Sequence, residues 1–76
     1  MSKNRPYVLT IAGLDPSGGA GILADIKTFE QHKVAGLAIS TANTIQTENQ
    51  FYDIQWTDLS FVIRSIETLF LNYKIS

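Results

Sequence analysis

The sequence predicts an α/β fold built on a parallel sheet. Three observations point there. A run rich in β-branched residues, Pro6 to Gly13, ends at a glycine. A glycine-dense turn then opens a segment with helical apolar spacing. A second strand of small residues follows, so the order is strand, helix, strand, with the crossover expected to be right-handed.

The first strand, PYVLTIAG, is apolar throughout, the pattern of a strand buried on both faces. Leu14 to Gly21 is the turn. Gly21 to Lys33 reads as a helix, because Ile22, Ile26 and Phe29 fall on one face. Asp25 lies in its early turns and Lys33 near its end, where each charge suits the helix dipole. Leu37 to Gln46 follows Gly36 as the second strand, with a polar end suited to lining a site. Phe51 to Gln55 is a short strand or an extended linker, and Trp56 is expected to pack as an anchor before the next helix. That helix opens with Thr57 or Asp58 as N-cap. It carries the cleanest stripe in the chain: Leu59, Val62, Ile63, Ile66, Leu69, Phe70 and Tyr73. An alternating pattern calls for a strand next, and the sequence offers none before Ser76.

Composition narrows the function. The chain has 76 residues, no cysteine and a single histidine, His32. Disulfides and Cys-ligated metals are excluded, and a His-based zinc site lacks ligands. His32 itself reads as a solvated residue near the helix end. The net charge of −1 carries no footprint for nucleic acid or an anionic membrane. No apolar run reaches the roughly 18 residues of a membrane span, and the polar start, Met1 to Tyr7, lacks the apolar core of a signal peptide. The expectation is a cytoplasmic α/β protein.

A strand feeding a glycine-rich loop and a helix is a common anion site. The letters reject one version of it: Gly13 and Gly18 have P-loop spacing, but Gly19 and Ala20 stand where a Lys and a hydroxyl are needed. Gly19-Ala-Gly21-Ile-Leu-Ala24 matches a dinucleotide fingerprint formally. Its loop is too long, however, and no acidic residue closes the second strand. A plain tight turn would also use glycine. Four glycines from Gly13 to Gly21 exceed what a turn needs, so close approach of backbone to a small molecule competes with it.

The run Ile11 to Thr47, IAGLDPSGGAGILADIKTFEQHKVAGLAISTANTIQT, resembles the hydroxymethylpyrimidine/phosphomethylpyrimidine kinases of thiamine biosynthesis, within the ribokinase-like superfamily. Ile11 to Phe29 and the small-residue strand Ser40 to Gln46 carry the resemblance. It covers the first half of the chain closely and the second half in pattern. Leu14, Gln31-His32-Lys33, Asn43 and Ile45 depart from the family's usual residues.

The resemblance implies an incomplete three-layer α/β/α fold, residues 1–76 forming a single partial domain. It implies that Gly13 lies against the substrate, that Asp25 contacts it, and that Gln46 hydrogen-bonds an aminopyrimidine. A carboxylate and a carboxamide suit the mixed donors and acceptors of such a ring. The whole enzyme would use ATP and Mg2+, with their sites and the catalytic base outside this chain, and would be a homodimer. A pyridoxal or pyridoxine kinase of the same superfamily and a non-catalytic dinucleotide-binding module are the alternative readings.

Overall fold

The computed structural model describes residues 5–76, so the polar start Met1 to Asn4 lies outside the described residues. The order is β1 (Tyr7–Leu14), α1 (Gly21–Gln31), β2 (Ala35–Gln46), β3 (Phe51–Trp56) and α2 (Leu59–Asn72). The strands form one sheet in the order β1-β2-β3. β1 and β2 run parallel, from Tyr7 opposite Ala35 to Leu14 opposite Asn43, with a register shift between Ala12 and Gly13. β3 returns antiparallel along the far half of β2 through the turn 47–50, which the Thr47 N–H closes onto the Gln50 carbonyl at 2.8 Å.

The helices cover opposite faces. Adjacent strand residues point to opposite sides. Gly36 faces α1, where a Cβ would meet Ile26 and Phe29. On the other face the Tyr7 ring tilts against Tyr73, just past α2, with centroids 4.9 Å apart. Among the described residues, Ile22, Ala35, Ile39, Ala42 and Val62 are the buried apolar ones.

α1 ends at Gln31, two residues before the expected Lys33, and without the expected charges. No acidic residue lies in its first turn and no basic one in its last. Lys33 instead takes a left-handed conformation, φ 57°, just past the end, while the Val34 N–H closes on the Phe29 carbonyl. α2 begins as its sequence indicates: the Asp58 side chain accepts from the Ser60 N–H at 3.1 Å.

Three expectations need correction. β1 is not buried on both faces: Thr10 is its one buried residue and Ile11 is 48% exposed. Trp56 is no packing anchor; it is 72% exposed, because β3 pairs only with β2 and neither helix packs on it. The chain also does begin another pairing after α2. Ile75 bridges Tyr7 in parallel, and the Ser76 N–H donates to the Tyr7 carbonyl at 2.9 Å. That bridge lies on the edge of β1 opposite β2. β1 therefore has neighbours on both sides at its start, although the sequence shows only a short apolar tail there.

Candidate pyrimidine site

The path of the chain places a crevice at the carboxyl end of β1. From β1 it passes over one face as α1 to reach β2 on one edge. It then returns over the other face as α2 to the opposite edge of β1. Open α/β sheets bind ligands outside the carboxyl ends of strands at such a reversal. Gly13 stands at that end.

The loop from β1 to α1 folds back on the strand. Leu14 and Gly21 form an antiparallel bridge. Gly21 has φ +68°, and a Cβ there would be driven into the Gly13 carbonyl. Only glycine allows this approach, so the first residue of α1 is pinned to the end of β1. Within the loop, Asp15 is 8% exposed and organises the turn. Its carboxylate accepts from the Ser17 N–H at 2.9 Å and the Ser17 hydroxyl at 2.7 Å. The Ser17 hydroxyl and amide, with the Ala20 and Gly19 amides, hold this carboxyl below the usual carboxylate range, against a smaller opposing effect of burial.

Asp25 and Gln46 are each held by a threonine. The Thr10 hydroxyl on β1 donates to Asp25 Oδ2 at 2.6 Å. Asp25 thus turns toward the sheet, and dipole compensation does not account for its place. Gln46 Nε2 donates to Thr44 Oγ1 at 2.6 Å, and the Thr44 hydroxyl donates to the Leu14 carbonyl at 3.0 Å. Gln46 is therefore tied to the residue next to Gly13. Asp25 is tied to β1 three residues upstream of Gly13, about 10 Å along the strand. These contacts commit one carboxylate oxygen and one amide N–H, and they leave Asp25 Oδ1, Gln46 Oε1 and a second Gln46 N–H for a ligand.

The structure thus brings Gly13 and Gln46 together but holds Asp25 against the middle of β1, and the three do not line one closed cavity. The larger crevice, about 670 Å³, lies between β2 and α2 and is lined by Ile39, Asn43, Phe61 and Arg64 among others. A smaller one of about 340 Å³ lies beside Asn43, Thr44 and Asp53. The larger is a gap under a helix that touches only β2, and its chemistry is mixed. The hydrogen-bonded strand end is the better-built site, since its polar side chains are positioned by their neighbours.

Sequence reasoning missed Thr10, Thr44 and Asp15. The Asp-Pro-Ser-Gly order at Asp15 was a readable turn signal, because aspartate side chains bond backbone two residues on. The two threonines gave no signal distinguishable from ordinary strand residues.

Residues 15–76 match the model of the phosphomethylpyrimidine kinase family. The chain belongs to that family. Asp25 and Gln46 lie inside the matched region and Gly13 just before it. The hydroxymethylpyrimidine/phosphomethylpyrimidine kinase of Haemophilus influenzae is 40% identical over 74 residues, which is 97% of this chain and 28% of that protein. Across the first curated relatives the chain spans between 12% and 28% of their length. The crystal structure of phosphomethylpyrimidine kinase from Clostridium difficile superposes with a TM-score of 0.89 at 35% identity, over 93% of this chain and 31% of that one. Pyridoxal kinase from Staphylococcus aureus, in complex with AMP-PCP and pyridoxal, gives a TM-score of 0.73 at 34% identity, over 84% of this chain and 24% of that one. The mixed sheet and its two helices correspond to the N-terminal part of the ribokinase-like fold shared by these kinases.

Proposed function

We propose that residues 1–76 are a partial ribokinase-like domain that forms the pyrimidine-binding part of an ATP-dependent kinase. Its substrates would be 4-amino-5-hydroxymethyl-2-methylpyrimidine and the monophosphate of that compound, in thiamine biosynthesis. The observation that carries the reading is that Asp25, against the middle of β1, and Gln46, at the end of β2, are each held by a threonine, in a chain of this family. Asp25 Oδ1 accepts from the exocyclic amine. Gln46 offers an N–H to a ring nitrogen and an oxygen to a donor. Gly13, lacking a side chain, lets the ring lie against the strand end.

In the whole enzyme the substrate hydroxyl oxygen would attack the γ-phosphorus of ATP, ADP leaving and a base taking the hydroxyl proton, and in the second transfer a phosphate oxygen of the monophosphate would be the nucleophile. Nucleotide use is supported by the AMP-PCP complex of the related Staphylococcus kinase. The described residues contain no group of three His, Asp or Glu side chains fit to hold a metal. The family resemblance assigns Mg2+, the nucleotide and the base to no residue of this chain. No described helix is long and apolar enough to cross a membrane. A cytoplasmic location and a homodimeric whole enzyme follow from the family resemblance alone.

Pyridoxal phosphorylation is the second reading, favoured by the likeness to pyridoxal kinase. Pyridoxal has no exocyclic amine, so it would leave Asp25 without its partner. A chimera carrying residues 5–76 in place of the matching segment of the Haemophilus influenzae kinase decides between them. The expected result is a kcat/KM for hydroxymethylpyrimidine at least about tenfold above that for pyridoxal. A folded chimera with the reverse ratio, or with no pyrimidine turnover, contradicts the proposal.

A further inference from the structure

The Gln46 side chain has two unlike atoms at its tip, an oxygen that accepts and a nitrogen that donates. Which of them faces a ligand depends on what holds the amide. Thr44 holds it. The Thr44 hydroxyl has one proton, and the Leu14 carbonyl, 3.0 Å away, can only accept, so the proton is committed there. The lone pairs left on Thr44 Oγ1 can only accept, and the Gln46 amide lies 2.6 Å from them. An amide oxygen in that position would set two acceptors against each other. The atom facing Thr44 is therefore Nε2, and Oε1 is turned to the other side. Thr44 and Gln46 are both half-buried, whereas Asn43 and Ile45 are exposed, so the alternation of β2 puts the pair on its less exposed face. The pairing with β3 shifts register between Ile45 and Gln46, and among the described residues Thr44 is the partner that holds the amide.

We propose that Thr44 is a positioning residue that locks the direction of the Gln46 amide, and that this lock selects a ring with an exocyclic amine over its oxo counterpart. The inference rests on the proposed function and deepens it. An aminopyrimidine offers an amine N–H beside a ring nitrogen with a lone pair. Oε1 accepts from the amine, and the second Nε2 proton is donated to the ring nitrogen. Replacing the amine by an oxo group inverts both roles: the exocyclic atom accepts, and the neighbouring ring nitrogen carries a proton. A free glutamine follows that inversion by turning its amide over. Gln46 can follow only by setting Oε1 against Thr44 Oγ1 or by drawing the Thr44 proton away from the Leu14 carbonyl, and either course leaves a polar group without its partner. The oxo ring therefore meets acceptor against acceptor and donor against donor. Thr44 acts through Gln46.

The test uses the chimera and its Thr44→Val and Thr44→Ser variants. Val keeps the shape and removes the hydroxyl, whereas Ser keeps the hydroxyl. Folding is checked first by circular dichroism. Hydroxymethylpyrimidine and its 4-oxo analogue are then titrated calorimetrically, and the ratio of the two affinities is read. Asp25 is the same in all three proteins, so its contribution to the change in ratio cancels. The parent and Thr44→Ser should favour the amine, and Thr44→Val should lower that preference by about tenfold. A merely structural role weakens both rings alike and leaves the ratio unmoved. A folded Thr44→Val protein with the parent's ratio overturns the proposal, as does a parent that binds the two rings equally. Loss of folding in Thr44→Val and in Thr44→Ala alike assigns Thr44 to stability and overturns its positioning role. The lock is also read without ligand, by nuclear magnetic resonance of the Gln46 amide. One Nε2 proton should exchange slowly with solvent in the parent and in Thr44→Ser, and neither should in Thr44→Val. A parent without that slow proton overturns the lock whatever it binds. A parent that shows it yet binds neither ring contradicts the functional reading and leaves the lock standing.

Discussion

The Thr10 hydroxyl donates to the Asp25 carboxylate at 2.6 Å, joining the buried middle of β1 to the second turn of α1. This contact commits Oδ2 and leaves Oδ1 with no hydrogen-bond partner among the described residues. It makes Thr10 as important to the acid's orientation as the helix that carries it.

Thr10→Val keeps the shape of the side chain and removes the donor. In the chimera it should weaken pyrimidine binding by about 1 kcal/mol, since a net hydrogen bond of that order is lost and Asp25 is freed to rotate. Calorimetric titration of the pyrimidine checks this. An affinity equal to the parent's would show that Thr10 does not orient Asp25.

Gly21→Ala should cost the chimera about 2–4 kcal/mol in urea unfolding. A side chain at φ +68° is strained, and its Cβ collides with the Gly13 backbone, which cannot move aside. Gly36→Ala should cost less, about 1–3 kcal/mol. Its Cβ would lie 2.7 Å from Ile26 Cδ1 and 2.9 Å from Phe29 Cδ2, atoms of side chains that can shift. The reverse ranking would mean that the loop is not pinned to β1 as described.

The loop should also respond to acid in a defined direction. Bonding to Ser17 and to the following amides lowers the Asp15 pKa from 3.8. A group whose folded pKa is depressed contributes stability that is present above its unfolded pKa and is lost as pH falls through the lowered value. Protection of the Ser17 to Ala20 amides against hydrogen exchange should therefore hold from neutral pH down to the ordinary carboxylate range and fail only below it. In Asp15→Asn this acid step should vanish. An identical step in that variant would assign it to another carboxylate.

Much of the fold was legible because periodicity reports which residues share one face of an element. The α2 stripe and the Asp58 cap announced that helix, and the β-branched run announced β1. What stayed hidden depended on long-range partners. Phe51 to Trp56 has strand composition whether or not anything covers it, so the exposure of Trp56 could not be read. The Ile75–Tyr7 bridge rests on a single apolar residue. Of the candidate site, Gly13, Asp25 and Gln46 came from a family likeness. The threonines that hold the acid and the amide became visible only once β1, β2 and α1 were side by side. Asp15 was concealed by the glycines around it, which drew the reading toward an external anion.

Exposure of apolar side chains sets an expectation for the isolated chain. Val62 is buried under α2, yet Leu59, Phe61, Ile63 and Phe70 on the same helix are exposed, as are Ile45, Phe51, Tyr52 and Trp56 on the β2–β3 ribbon. Uncovered surface of this kind drives association, and β3 adds an unpaired strand edge. The 76-residue chain alone should be partly folded or self-associated. Urea unfolding at low concentration, followed by Trp56 fluorescence and circular dichroism, checks this. One sharp coincident transition of a monomer, with stability above about 5 kcal/mol, would falsify it.

The central claim is that Asp25 and Gln46 recognise an aminopyrimidine, and direct binding tests it without depending on turnover. Hydroxymethylpyrimidine is titrated calorimetrically into the chimera and into its Gln46→Ala and Asp25→Asn variants. Each substitution should weaken binding by about 1–3 kcal/mol, because a ligand group buried against the strand end loses its partner. Parent-like affinity in both folded variants would contradict the account.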